Sequence, residues 1–210
     1  MINVIIADDH PIVRAGLKQI IKEDAFIAVA GEAGNGIELL EKVRQKTYDV
    51  VLLDLTMPGM DGIDVLKQLK LEQPHLPVII LTIHPESQYA LRIVKAGASG
   101  YITKESASEE LIKAIRKVHA GGKYITPSLA EKIAFALDKD NVQLPHEALS
   151  DREYQVLCLL GSGKTVSQIA EELALSVKTI STYRTRILEK MRMENNSELI
   201  HYAVQNGLTT

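Results

Sequence analysis

A chain of 210 residues with 46% hydrophobic and 24% charged side chains can build one or two cores, and it fits neither long disorder nor a collagen-like repeat. Its 24 lysines and arginines against 27 acids leave a net charge of -3, which taken alone argues against a nucleic-acid partner. The single cysteine, Cys158, excludes an internal disulfide, the first residues lack the basic flank of a signal peptide, and no apolar run reaches the roughly 18 residues of a bilayer span, so a cytoplasmic protein with no membrane partner is expected.

Short β-branched apolar runs predict strands over residues 2–7, 26–30, 49–53, 77–82 and 99–102. Amphipathic stretches separate them. Val13, Leu17, Ile20 and Ile21 form one helical stripe behind Pro11, and similar stripes occupy 36–46, 62–71, 86–96 and 107–119. Strands that alternate with helices, and runs as continuously apolar as Val50-Val51-Leu52-Leu53, imply a five-stranded parallel sheet covered on both faces. The predicted class is α/β, doubly wound. The pattern changes after residue 120: no strand candidate follows Tyr124-Ile125, residues 129–137 read as a helix, and 138–148, with Asp140-Asn141 and Pro145, read as a linker. From residue 149 onward four short helices are expected, over 151–161, 166–173, 177–191 and 197–206. Ser150 and Glu153 make a capping box at the first, and Ala174-Leu175-Ser176 forms a tight turn between the second and third.

Asp8 and Asp9 close the first predicted strand and Asp54 closes the third. In a doubly wound sheet the carboxyl ends of those two strands meet at the topological switch point, so three carboxylates would converge there. Like charges that close require a cation, and oxygen donors suit a hard divalent ion such as Mg2+. Aspartates also begin turns after strands, which is the alternative for each taken singly. Thr82 and Lys104 end the fourth and fifth strands, where a hydroxyl and an ammonium could serve an anion.

Asp8-Asp9-His10, the stretch Asp54-Leu55-Thr56-Met57-Pro58-Gly59-Met60-Asp61-Gly62, Thr82 and Lys104-Glu105 together resemble the receiver domains of bacterial two-component response regulators over residues 1–120. The resemblance implies a flavodoxin-like receiver in which Asp54 is the phosphoacceptor for a sensor histidine kinase. It further implies that Asp8, Asp9, Asp54 and the backbone carbonyl of Thr56 hold Mg2+, and that Thr82 and Lys104 contact the phosphoryl group. Tyr101 falls at the switch aromatic position, expected to turn inward once Thr82 moves toward the phosphoryl oxygens. An aspartyl-phosphate phosphatase of the haloacid dehalogenase type would carry a second aspartate where Thr56 stands, so the chain is not expected to be an enzyme. A receiver serving only as a dimerisation module is the other alternative, and the intact acidic set argues against it.

Residues 149–210 hold equal numbers of cations and acids, yet 178–192 carry Lys178, Arg184, Arg186, Lys190 and Arg192 against Glu189 alone, suited to phosphate contacts. Ile180, Ile187, Leu188 and Met191 anchor one face of that helix and leave Ser181, Thr182 and Thr185 together on another. The runs Leu149-Ser150-Asp151-Arg152-Glu153, Ser167-Gln168-Ile169-Ala170-Glu171-Glu172-Leu173 and Ser176-Val177-Lys178-Thr179-Ile180 resemble the LuxR-type helix-turn-helix of the NarL/FixJ subfamily. By that resemblance Lys178, Thr179 and Arg186 contact DNA, while Ser181, Thr182 and Thr185 take base-reading positions. Two residues depart from the pattern: Gln168 stands where lysine is frequent, and Arg184 where an apolar residue is. The implied protein is a transcriptional regulator with a receiver over 1–120, a helix-containing linker over 121–148 and an all-α DNA-binding domain over 149–210, acting on double-stranded operator DNA as a homodimer. The apolar face Leu199, Ile200, Ala203 and Val204 serves either that dimer or the domain's own core. Cys158 lies on an apolar stripe with Val156, Leu157 and Leu160, a core position.

Overall fold

The computed structural model describes residues 1–83, 86–127, 129–131, 133 and 144–209. The helix expected over 129–137 and the linker expected over 138–148 fall largely outside the described residues. The chain divides into two compact units, Met1–Ile133 and Ala134–Thr210.

In the first unit, β1 (Ile2–Ala7), β2 (Ile27–Ala33), β3 (Val50–Asp54), β4 (Val78–Thr82) and β5 (Gly100–Thr103) pair in parallel in the order β2-β1-β3-β4-β5. Helices α1 (Pro11–Ile21), α2 (Gly36–Gln45), α3 (Gly62–Glu72), α4 (Glu86–Lys95) and α5 (Ala107–His119) make the crossovers. Every residue of β3 and β4 is buried, because helices cover both faces of the sheet, and that is why the runs Val50–Leu53 and Val78–Leu81 are apolar without alternation. One core layer joins Ile6, Leu52, Ile79 and Ile102 to Leu17, Leu111 and Ile115 of α1 and α5. The helices start where local chemistry satisfies their first N–H groups. Pro11 opens α1, Asn35 accepts from Glu38 N at the start of α2, and Asp61 accepts from Ile63 N at the start of α3.

Strand β2 runs three residues beyond the end predicted for it, through Gly31, Glu32 and Ala33. Gly31 is there because of packing: a Cβ at this position would sit 2.6 Å from the Tyr48 hydroxyl. Glu32 is tolerated because Lys18 and Arg14 of α1 pair with it at 2.7 and 3.2 Å. At the opposite edge, Tyr124 pairs with Gly100 in parallel: its N–H donates to Ser99 O at 2.8 Å, and Tyr101 N–H donates to Tyr124 O at 3.0 Å. The chain leaving α5 therefore occupies part of the open edge of β5.

In the second unit a short 3-10 helix (Pro145–Ala148) precedes α6 (Asp151–Gly161), α7 (Val166–Glu172), α8 (Val177–Met191) and α9 (Asn196–Gln205). Ser150 with Glu153, and Thr165 with Gln168, complete reciprocal capping boxes, and the Ser176 side chain caps α8. Val156, Leu157, Ile169, Ile180, Ile187, Leu199 and Ala203 are fully buried and form the centre of this small core, with Cys158 at its margin, 4% exposed. The turn between α7 and α8 places Ala174 at φ 51°, a left-handed conformation for a residue with a Cβ. Leu199 and Ala203 of α9 are core residues, whereas Ile200 and Val204 stand exposed.

Candidate metal centre and nucleic-acid interface

Strand register places the polar ends of β1, β3, β4 and β5 on one edge of the sheet, since Ala7 pairs with Leu53, Asp54 with Leu81 and Thr82 with Thr103. The first residue beyond β1 and the last of β3 therefore converge at the switch point between them. Asp8, Asp9, His10 and Asp54 bring one ligand atom each within 4.8 Å of one another. Asp8 and Asp54 are 1% and 2% exposed, so their charges are compensated by protein groups. Lys104 Nζ lies 2.8 Å from Asp8 Oδ2 and 2.9 Å from Asp54 Oδ2, spanning the two carboxylates. Thr56 N–H donates to Asp54 Oδ1 at 3.2 Å, and His10 N–H donates to Asp8 Oδ1 at 2.8 Å.

Burial pushes the Asp54 carboxyl above its ordinary range against the pull of Lys104, and the charge of Asp8 adds to the rise. Burial pulls the Lys104 ammonium down, but hydrogen bonds and charge from Asp8 and Asp54 outweigh it and hold Lys104 above its ordinary value. Two buried oxygens, Asp8 Oδ2 and Asp9 Oδ1, have one polar contact each, with Lys104 Nζ and with His10 Nδ1, both at 2.8 Å. An all-oxygen carboxylate set with two such acceptors fits a hard divalent cation.

Thr82, at the end of β4, is fully buried, and Tyr101 of β5, on the neighbouring strand, is 4% exposed. Sequence reasoning gave no role to two members of the cluster. His10 contacts both Asp8 and Asp9, and Arg14 donates from Nη1 to Asp8 O at 2.7 Å while its Nε reaches Glu32. Adjacency to Asp9 was the available signal for His10. For Arg14 there was none, because its partner Glu32 lies on a stretch of β2 that reads as a break.

In the second unit α8 presents Lys178, Thr182, Thr185 and Arg186 to solvent, with Thr179 and Ser181 half-buried. Ile180, Ile187 and Met191 are buried beneath them and Leu188 is half-buried, so the apolar stripe read from spacing faces the core. Thr182 and Thr185 donate their hydroxyls to the carbonyls of Lys178 and Ser181 at 3.0 and 3.1 Å, which fixes their rotamers and leaves lone pairs outward. Gln168, the departure at a frequent lysine position, accepts from Thr165 N–H at 2.9 Å in the capping box of α7. Arg184 falls four residues after Ile180 and three before Ile187, on the core-facing stripe, and its Nε is buried without a hydrogen bond.

Residues 4–116 match the response regulator receiver domain, and residues 147–203 match the bacterial regulatory proteins of the luxR family. Response regulator UvrY of Escherichia coli (strain K12) is 36% identical over 209 residues, 99% of this chain and 96% of that protein. Response regulator GacA of Pseudomonas aeruginosa is 36% identical over 209 residues, 99% of this chain and 98% of that one. Among solved structures, RcsB of Salmonella typhimurium matches with a TM-score of 0.70 at 31% identity, covering 98% of each chain. An RcsB–DNA complex matches at 0.60 and 30%, covering 97% of this chain and 98% of that one. A parallel receiver sheet with an acidic switch-point cluster, followed by a helical unit with an exposed cationic helix, defines a phosphorylation-dependent DNA-binding transcriptional regulator. The chain belongs to the NarL/FixJ response regulators, with a receiver domain ahead of a LuxR-type helix-turn-helix domain. The net acidity that argued against nucleic acid was misleading, because it averages an acidic receiver with a locally cationic helix. Among the described residues no helix is long and apolar enough to cross a membrane.

Proposed function

We propose that Asp54 is the phosphoacceptor and that a sensor histidine kinase supplies the phosphoryl group. The observation that carries this reading is the Lys104 ammonium held 2.9 Å from Asp54 Oδ2 and 2.8 Å from Asp8 Oδ2, beside a cluster of three aspartates. An Asp54 carboxylate oxygen attacks phosphorus, the new O–P bond forms as the N–P bond of the donor phosphohistidine breaks, and the imidazole departs with that electron pair. Asp8, Asp9, Asp54 and the backbone carbonyl of Thr56 would hold Mg2+, which when bound neutralises charge on the transferring phosphoryl oxygens. Thr56 N–H fixes the orientation of the Asp54 carboxyl, and Lys104 remains to pair with the added charge of roughly -1.5 to -2. Thr82, buried at the end of β4, supplies a hydroxyl to the same group, and its movement is relayed to Tyr101 on the neighbouring strand.

The output is DNA binding through α8. Lys178, Thr179 and Arg186 contact phosphates, and Ser181, Thr182 and Thr185 approach base edges of an operator in the major groove. Two RcsB dimers bound to two parallel DNAs have been solved, and a homodimer on paired half-sites is the arrangement proposed for this chain. The test is labelling by a radioactive phosphodonor together with operator affinity. Wild type takes up label and binds operator more tightly after phosphorylation, and Asp54→Ala does neither. Full labelling of Asp54→Ala, or equal operator affinity with and without the donor, refutes the proposal.

A further inference from the structure

We propose that the receiver carries a second anion site, unrelated to the Asp54 cluster, that takes the phosphate group of a small molecule between Lys70 and Lys123. The site is a cavity of about 390 Å³ whose lining includes Lys70, His75, Gly97, Ser99, Gly122 and Lys123. That volume falls within the range of small-ligand sites. It lies where β4 and β5 begin, whereas Asp54, Thr82 and Lys104 lie where β3, β4 and β5 end, so the two sites are separated by the length of a five-residue strand, about 16 Å.

Two cations are drawn to this cavity from different elements. The Lys70 stem crosses Gly97, where a Cβ would stand 3.1 Å from Lys70 Cγ, and its ammonium donates to Leu76 O at 2.6 Å. Lys123, beyond α5, donates to Ala98 O at 2.6 Å. An ammonium has three donors, so each lysine keeps capacity beyond its short carbonyl contact, the remaining one for Lys70 being to Pro74 O at 3.5 Å. No carboxylate lines the cavity, and among the described residues neither lysine has an ion-pair partner. His75 is the other titratable group on the wall. Burial draws the Lys70 ammonium below its ordinary value, and the charge of Lys123 draws it down further. Elsewhere in this unit Lys18, Lys42 and Lys104 each meet a carboxylate. Like charges held together beside a hollow, with donors remaining and no acid, are complementary to a compact dianion. Phosphate meets that description, with lysine acting as a point-charge partner.

The experiment is a titration of the full-length protein, without Mg2+ and at fixed ionic strength, with inorganic phosphate and separately with glycerol phosphate, read on backbone amide resonances. The expected result is saturable shifts at Gly97, Ser99, Gly122 and Lys123 with either probe; the tighter probe identifies free phosphate or a phosphomonoester as the source. Lys70→Gln and Lys123→Gln should each raise the midpoint at least about tenfold. Lys123 is solvent-exposed, so its variant keeps the fold even if Lys70→Gln does not. Shifts that are absent, linear in concentration, confined to Thr56 and Lys104, or unchanged in Lys123→Gln overturn the proposal.

Discussion

Glu153 ties the DNA-reading helix to its scaffold, and its removal can be worked through from the geometry. The side chain is 4% exposed on α6, and Oε2 accepts from Ser150 N–H at 2.8 Å and from Lys190 Nζ of α8 at 2.6 Å. Burial alone would raise its pKa, yet the hydrogen bonds from Lys190 and Ser150 outweigh burial and hold the carboxyl below its ordinary value. Lys190 is 43% exposed, so the pair falls between a screened surface pair, up to about 1 kcal/mol, and a broken buried pair, about 3–5 kcal/mol. Glu153→Gln keeps an oxygen for Ser150 and loses only the charge, about 1–2 kcal/mol. Glu153→Ala also leaves the cap acceptor missing, about 1 kcal/mol more. Hydrogen-exchange protection of α6 and α8 amides should fall about 5- to 30-fold in the glutamine variant and about 30- to 150-fold in the alanine variant. The folded pKa is lowered, so the contribution is complete above the unfolded value of about 4.3 and disappears as pH falls through the folded one. The gap between wild type and Glu153→Gln should therefore close in acid. Equal protection in wild type and Glu153→Gln at neutral pH, or a gap that does not narrow as pH falls, refutes the account.

Chelation of divalent cations should abolish phosphodonor labelling and added Mg2+ should restore it, and Asp9→Asn should raise the Mg2+ concentration required, read as label incorporated per chain. Lys178→Ala should weaken binding to all DNA sequences and reduce the salt slope by about 1, whereas Thr182→Ala should alter the preferred operator sequence, both measured by titration on operator and scrambled duplexes. Gly161→Ala, ordinarily favourable in a helix, should destabilise the second unit by about 1–3 kcal/mol in denaturant unfolding, because the new Cβ would stand 2.6 Å from Ala203 Cβ and 2.9 Å from Thr209 Cγ2.

Where a residue's role depends on its own segment, the sequence was sufficient. The apolar run Val50–Leu53 of β3, the Ser150–Glu153 capping box and the Ile180–Ile187–Met191 stripe each follow from local spacing and appear as read. Asp54 and Lys104 lie 50 residues apart, and their contact was legible only through topology, because parallel strands with intervening helices must end on the same edge. Features made by tertiary contact were hidden. Gly31 resembles a strand breaker until the Tyr48 hydroxyl is seen filling the space of its missing Cβ. Arg184 occupies a position whose spacing marks it as core-facing while its charge marks it as exposed, and packing leaves it between the two, half-buried with its Nε out of solvent. Lys70 and Lys123 carry no pattern in one dimension that would join them.

The bond between Tyr101 and Tyr124 bears on how the receiver can be isolated. A polypeptide cut at residue 120 keeps β1–β5 and α1–α5, and on those elements alone would count as intact. It would lose the backbone acceptor at Tyr124 O and the donor at Tyr124 N, uncovering Tyr101 N–H and Ser99 O along the last strand. An uncovered strand edge is a template for another copy of itself. The segment after α5 thus acts as a selvedge, a finished border that keeps the sheet from joining onto a neighbour, and association seen in a fragment trimmed inside it would report the cut rather than the regulator.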